Sequence, residues 1–182
     1  MGGELGQCCG GNTTVLIETF AACRFHIGLF GGGHVAQALV KILAALPCKI
    51  HWTDNRENML PTETEPNISL HTKTNPRDRV SSLPDGADIV VMTHNHQLDY
   101  DIIVAALKHT KLRYIGLIGS KTKAQRFKKR LMKEGFCTDD IAKIKCPIGL
   151  SSIPGKLPME IAVSIAGELI AIEHQGEVRK TH

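Results

Sequence analysis

An α/β fold, with a doubly wound and mainly parallel sheet carrying helices on both faces, is predicted by three features of the sequence. Apolar runs of strand length alternate with helical patterns along most of the chain. The first run, Phe25 to Phe30, stops at Gly31-Gly32-Gly33 and gives way to a helical period in Val35, Leu39, Ile42 and Leu46. Gly31, Gly33 and Ala36 also fill a G-x-G-x-x-A pattern, and a second apolar run, Lys49 to Thr53, ends in Asp54 about 20 residues further on. In that pattern the first glycine permits the turn, the second lets a ligand approach the main chain, and the small third residue lets helix lie close on strand. The unit is Rossmann-like. Its helix start, with unpaired N–H groups and a positive dipole end, suits a phosphate, and Asp54 stands where a ribose-binding acid is expected. Right-handed crossovers then give the strand order 3-2-1-4-5.

The length of 182 residues fits one domain with short appendages: a glycine- and cysteine-rich segment with a short strand over 1–22, a Rossmann-like domain over 23–174 and a polar tail over 175–182. Apolar residues make up 42% and charged residues 22%, as in globular proteins generally. A net charge of +4 and only eight aromatic residues give no platform for single-stranded nucleic acid. No apolar run is long enough to cross a membrane. Six cysteines without C-x-x-C spacing, and no charged-then-apolar leader, read as free thiols in a reducing, cytoplasmic setting.

In chain order, the glycines around Cys8-Cys9 predict an exposed loop, followed by a β-prone run over 13–19 that needs a partner strand and so makes a homodimer plausible. Pro47 ends the first helix, and residues 55–67 read as a loop. Ile68 to Thr72 is a short third strand, and Asn75-Pro76 starts a turn or short helix. Asp88 to Met92 and Arg113 to Ile118 are buried strands separated by a helical pattern at Ile102 to Leu107. Ser120 is an N-cap for a helix with Ala124, Phe127 and Leu131 as its apolar stripe. Pro158 opens the last helix, with Glu160 in its first turn and Ile161, Ile165, Leu169 and Ile172 on one side.

Winding reverses between the first and fourth strands, so a ligand is expected outside their carboxyl ends. This places Gly31, Gly33 and His34 opposite Thr93, His94 and Asp99, with Gly119, Ser120 and Lys121 next along the row. His94 and His96 read either as loop histidines or, with Asp99, as metal ligands. Lys121 and Lys123 in a first helical turn oppose the dipole by about 0.3–1 kcal/mol each, a penalty that an anion near Ser120 would reverse. Cys8 and Cys9 read either as small residues in a loop or as accessible thiolates for a soft metal centre.

Several stretches together resemble the xanthine dehydrogenase accessory proteins of the XdhC/CoxI type. They are Leu5 to Gly11 with its Cys8-Cys9 pair, Phe30 to Ala36, Thr93-His94 with Asp99, Tyr114 to Lys121, Pro147 to Leu150 and Pro158 to Ile165. The resemblance implies a chaperone that binds the molybdenum cofactor (molybdopterin), presents it to a cysteine desulfurase or sulfurtransferase for exchange of an oxo for a sulfido ligand, and delivers it to an apo molybdenum hydroxylase such as xanthine dehydrogenase. Glycine turns and the Ser120-Lys121 corner would take the cofactor's phosphate, His94 its pterin or oxo groups, and Cys8 or Cys9 the molybdenum. Family members usually carry a further domain upstream of the Cys-Cys-Gly-Gly stretch. Two alternatives remain open: an NAD(P)-dependent oxidoreductase using Asp54 for ribose and His94 as acid and base, and a nucleotide-binding module without chemistry.

Overall fold

Short apolar strands that alternate with helices can bury both their faces only as the middle layer of three, and that is the arrangement found. The computed structural model describes residues 15, 16, 23, 25–56, 58–109 and 111–178. Its strands are β1 (His26–Phe30), β2 (Lys49–Thr53), β3 (Ile68–His71), β4 (Asp88–Val91), β5 (Tyr114–Leu117) and β6 (Ile144–Lys145). Their order is 3-2-1-4-5-6 with every pairing parallel, so the expected order holds and gains one edge strand. With two residues, β6 is too short for any sequence period to mark it.

One face carries α1 (His34–Leu43) and α6 (Pro158–Val178), which pack on each other. The other carries the short α2 (Pro76–Arg79), α3 (His96–Lys108), α4 (Lys121–Lys133) and α5 (Thr138–Ala142). The buried residues of α1 are Ala36, Ala38, Leu39, Val40 and Leu43 rather than the expected Val35, Leu39, Ile42 and Leu46. Contact with both the sheet and α6 widens and rotates the buried sector, and Val35 and Ile42 end at its margin. In α6, Ile165 and Leu169 reach the core as expected, joined by Ala162 and Ala166, whose small side chains suit close helix packing. Below the sheet, Arg113 bridges the fully buried Asp88 at 2.7 Å and Glu173 of α6. The expected strand over 13–19 lies outside the described residues apart from Val15 and Leu16, both exposed. Among the described residues no helix is long and apolar enough to cross a membrane.

Three imidazoles step diagonally across β1, β2 and β3: His26 stacks on His51 at 5.5 Å and His51 on His71 at 6.2 Å between ring centres. His26 Nε2 lies 2.7 Å from the Cys23 carbonyl and must donate to it, so in the neutral ring Nδ1 accepts from His51 Nε2 at 3.2 Å. Burial, then the neighbouring His26, His71, Arg79 and Lys49, push the His51 pKa down to about 4. Between pH 6.5 and about 4 the unfolded chain therefore takes a proton at His51 that the folded chain refuses, and stability falls on acidification. Thermal unfolding of His51→Gln across this window is expected to show a shallower loss than the parent; equal slopes would remove His51 as the cause.

Candidate functional site

The carboxyl edge of the sheet is built from three strand-to-helix corners tied to one another. At the first, Gly31 has φ of 120°, a conformation that disfavours any side chain. Its N–H donates to the Thr53 carbonyl at 2.8 Å and its carbonyl accepts from the Trp52 indole at 2.8 Å. A Cβ on Gly31 would stand 2.3 Å from the Met92 carbonyl oxygen. The first glycine thus permits the turn, as read from the motif, and also brings the ends of β1 and β4 together. Gly33, the N-cap of α1, offers no side-chain cap, and a Cβ there would meet nothing within 4 Å. His34 follows it, exposed.

Asp54 sits at the end of β2 as the spacing predicts, with its carboxylate turned inward. One oxygen accepts the Gly32 N–H at 2.6 Å and Arg56 Nη2 at 2.7 Å; the other accepts the Arg56 main-chain N–H at 2.9 Å and Nε at 3.0 Å. Burial works against its charge, but the hydrogen bonds from Arg56 and Gly32 overcome this and hold the carboxyl below its ordinary value. Four donors fill the four lone-pair directions of the carboxylate, so a ribose hydroxyl would have to displace Arg56.

At the second corner the segment Thr93 to Asp99, read from sequence as a loop, holds the start of α3. Asn95 caps that helix by accepting from the N–H groups of Gln97 and Leu98 at 2.7 and 3.2 Å. His96 becomes the first helical residue, and Asp99 falls in the first turn, fully buried. Asp99 accepts the Thr93 N–H at 3.0 Å, the Thr93 hydroxyl at 2.8 Å and Lys123 Nζ at 2.5 Å. His94 is exposed. The metal alternative for His94, His96 and Asp99 is corrected: among the described residues no three His, Cys, Asp or Glu side chains gather closely enough to hold an ion.

Ser120 caps α4 at the third corner, accepting the Lys123 N–H at 3.2 Å. The two lysines of that turn have separate fates. Lys123 lies inward, donating to Asp99 and, at 2.9 Å, to the Ile118 carbonyl, so its own charge is met inside the fold, and of the two lysines only Lys121 is left for the anion expected near Ser120. Lys121 is exposed and has no partner among the described residues. Two clefts flank the Ile118-Gly119 turn. The first, of about 390 Å³, lies between the starts of α3 and α4 and brings Thr93 and His96 together with Gly119, Ser120, Lys123 and Arg126. The second, of about 520 Å³, runs from Gly119 and Lys121 to the segment 145–155 and to Ile161 and Ser164 of α6. Among the described residues no carboxylate lines either cleft.

The wall of the second cleft is formed by residues 145–155 packed on α6. Gly149, with φ of 102°, is fixed by Glu168, which accepts its N–H at 2.6 Å and the Tyr114 hydroxyl at 2.6 Å. Ser164 of α6 lines this cleft and donates to the Leu150 carbonyl at 3.0 Å. Glu160 accepts the N–H groups of Lys156 and Leu157, at 2.9 and 3.1 Å, ahead of α6, which explains it as a cap. Glu168, missed from sequence, had one usable signal: a carboxylate one turn after Ser164, between the core residues Ile165 and Leu169. Cys8 and Cys9 lie outside the described residues. The four described cysteines are free thiols.

Residues 27–169 match the family model described as the XdhC Rossmann domain. The chain is 27% identical over 171 residues to the uncharacterized protein YqeB of Escherichia coli K12, covering 93% of this chain and 31% of that protein. Among solved structures, a Bacillus halodurans protein described as a xanthine dehydrogenase superposes with a TM-score of 0.69 at 28% identity, over 83% of this chain and 43% of that one. A Rossmann-fold NAD(P)-binding family protein from Shigella flexneri, at 12% identity and a TM-score of 0.51, shares the fold over 80% of this chain and 86% of its own. The chain thus spans about a third of its curated relative and under half of the Bacillus protein.

Proposed function

Because this chain belongs to the XdhC Rossmann-domain family, we propose that it serves the maturation of a molybdenum hydroxylase, holding the molybdenum cofactor at the carboxyl edge of its sheet and handing it on without turnover. The observation that carries this reading is the lining of the two clefts. Among the described residues they present His96, Lys121, Arg126 and Lys145 and no carboxylate, which fits a ligand with a phosphate. Their volumes, about 390 and 520 Å³, are in the usual range for a cofactor site. When bound, the cofactor supplies a dithiolene-held molybdenum on a phosphorylated pterin.

Gly31, Gly33 and His34 at the open end of α1, Thr93 and His94, and Gly119, Ser120 and Lys121 are the residues proposed to touch it. Asp54 and Asp99 act behind them. Asp54 fixes the Gly32 main chain, while Asp99 fixes Thr93 and Lys123. A Cys8 or Cys9 thiolate is the proposed soft ligand for the metal, with a cysteine desulfurase or sulfurtransferase exchanging the oxo group and an apo enzyme such as xanthine dehydrogenase receiving the product. A homodimer formed through the 13–19 segment belongs to the same proposal. The nicotinamide alternative is the less supported, because the acid it needs, Asp54, is already saturated by Gly32 and Arg56. Holding is tested by anaerobic gel filtration of the chain with the cofactor. Co-elution that survives excess NADH and NADPH is expected; a cofactor displaced by nicotinamide nucleotides would contradict it.

A further inference from the structure

We propose that the cofactor's phosphate enters the larger cleft, where Lys121 and Lys145 hold it, and that this cleft accepts organic phosphates with a heterocyclic ring body whose faces meet an apolar wall. The proposal rests on the reading that the ligand carries a phosphate, and selects one of the three corners for it. At the first corner an internal carboxylate, Asp54, already takes the Gly32 N–H at 2.6 Å. At the first cleft Lys123 is spent on Asp99 at 2.5 Å. The larger cleft differs from both. Lys121 has no partner among the described residues. Lys145 Nζ lies 3.6 Å from Glu168, whose other oxygen is held by Tyr114 and Gly149. Among the described residues no acid lines the cleft; Lys121 brings an unpaired charge to its rim, and Lys145 one whose carboxylate contact, at 3.6 Å, is longer than a hydrogen bond, unlike the 2.5 Å pair of Lys123.

The body of the ligand has a matching surface in Ile118, Ile148, Leu150 and Ile161. That wall is preformed. Leu150 is tied to Ser164 in both directions, its carbonyl accepting the hydroxyl at 3.0 Å and its N–H donating to the Ser164 carbonyl at 3.3 Å. A Cβ on Gly149 would stand 2.6 Å from Ser164 Oγ, so the loop approaches α6 as closely as only glycine allows. A wall fixed before binding costs the ligand little ordering.

Calorimetry at low salt with three probes tests this: inorganic pyrophosphate, 6-hydroxymethylpterin and its monophosphate. The monophosphate is expected to bind saturably and more tightly than either of the others. Lys121→Ala and Lys145→Ala should each weaken it by about tenfold, the scale of one charge-assisted contact. Lys129→Ala, which removes the same charge from an exposed position of α4 outside the described clefts, should leave it unchanged. Failure of the monophosphate to saturate, insensitivity to both cleft lysines, or equal weakening by Lys129→Ala overturns the assignment. The functional reading fails separately. Lysine-dependent binding of the monophosphate without molybdenum cofactor retention leaves the cleft standing and removes the chaperone, whereas cofactor retention undiminished in Lys121→Ala/Lys145→Ala does the reverse.

Discussion

Gly31→Ala is expected to destabilise the chain by about 4 kcal/mol, combining a left-handed backbone at ~1–3 kcal/mol with forced overpacking at ~1–3 kcal/mol. The obstacle is main chain and not a movable side chain, since the new methyl would stand 2.3 Å from the Met92 carbonyl oxygen. Relief requires β1 and β4 to part at their carboxyl ends, where the Met92 N–H now donates to the Phe30 carbonyl at 2.8 Å. For a chain of this length the loss corresponds to a fall in Tm of roughly 10 °C. Gly33→Ala is the control. With φ of −72° and open space around the new methyl it should cost less than about 1 kcal/mol. Equal losses in the two variants would mean that the glycine run is not differentiated in this way.

Asp99→Ala should cost about 3–5 kcal/mol by chemical denaturation, because it leaves the Lys123 ammonium inside the fold without its counter-charge. The side chains of Asp99 and Lys123 are only 1% and 11% exposed, so water compensates neither. The Thr93 N–H and hydroxyl lose their acceptor as well. Replacing both ends, as Asp99→Leu with Lys123→Met, should recover most of the loss, since an apolar pair of similar volume needs no partner. A single variant within about 1 kcal/mol of the parent would show that the ion pair is not what joins the second and third corners.

These two sites mark how far the sequence was legible. The Gly31 turn, the Ser120 cap, the Pro158 start of α6 and Asp54 at the end of β2 are local signals, each set by residues within a turn of one another or by a strand-turn-helix unit. They were read correctly in position. Asp99 folding back on Thr93 and reaching Lys123 across 24 residues of sequence has no local signature. Polarity between Thr93 and Asp99 instead imitated a loop and hid the Asn95 cap. Asp54 was found for the right reason but turned the other way, because Arg56, two residues on, supplies the donors that a ribose hydroxyl would have to displace. The second cleft was the least legible part of the site. Its wall depends on Gly149 meeting Ser164 and Glu168 of a helix that begins nine residues later, and only folding brings them together.

The central claim is that the carboxyl edge holds a cofactor for another protein and does no redox chemistry of its own. Its most direct test is to load the chain anaerobically with molybdenum cofactor, remove the unbound excess, add a cofactor-free xanthine dehydrogenase with a sulfur donor, and follow hydroxylase activity over time. Activity that rises with the amount of loaded chain, faster than with the same amount of free cofactor, is the predicted result. A chain that emerges from gel filtration without molybdenum, and that oxidises NADH in a saturable reaction, would contradict the account.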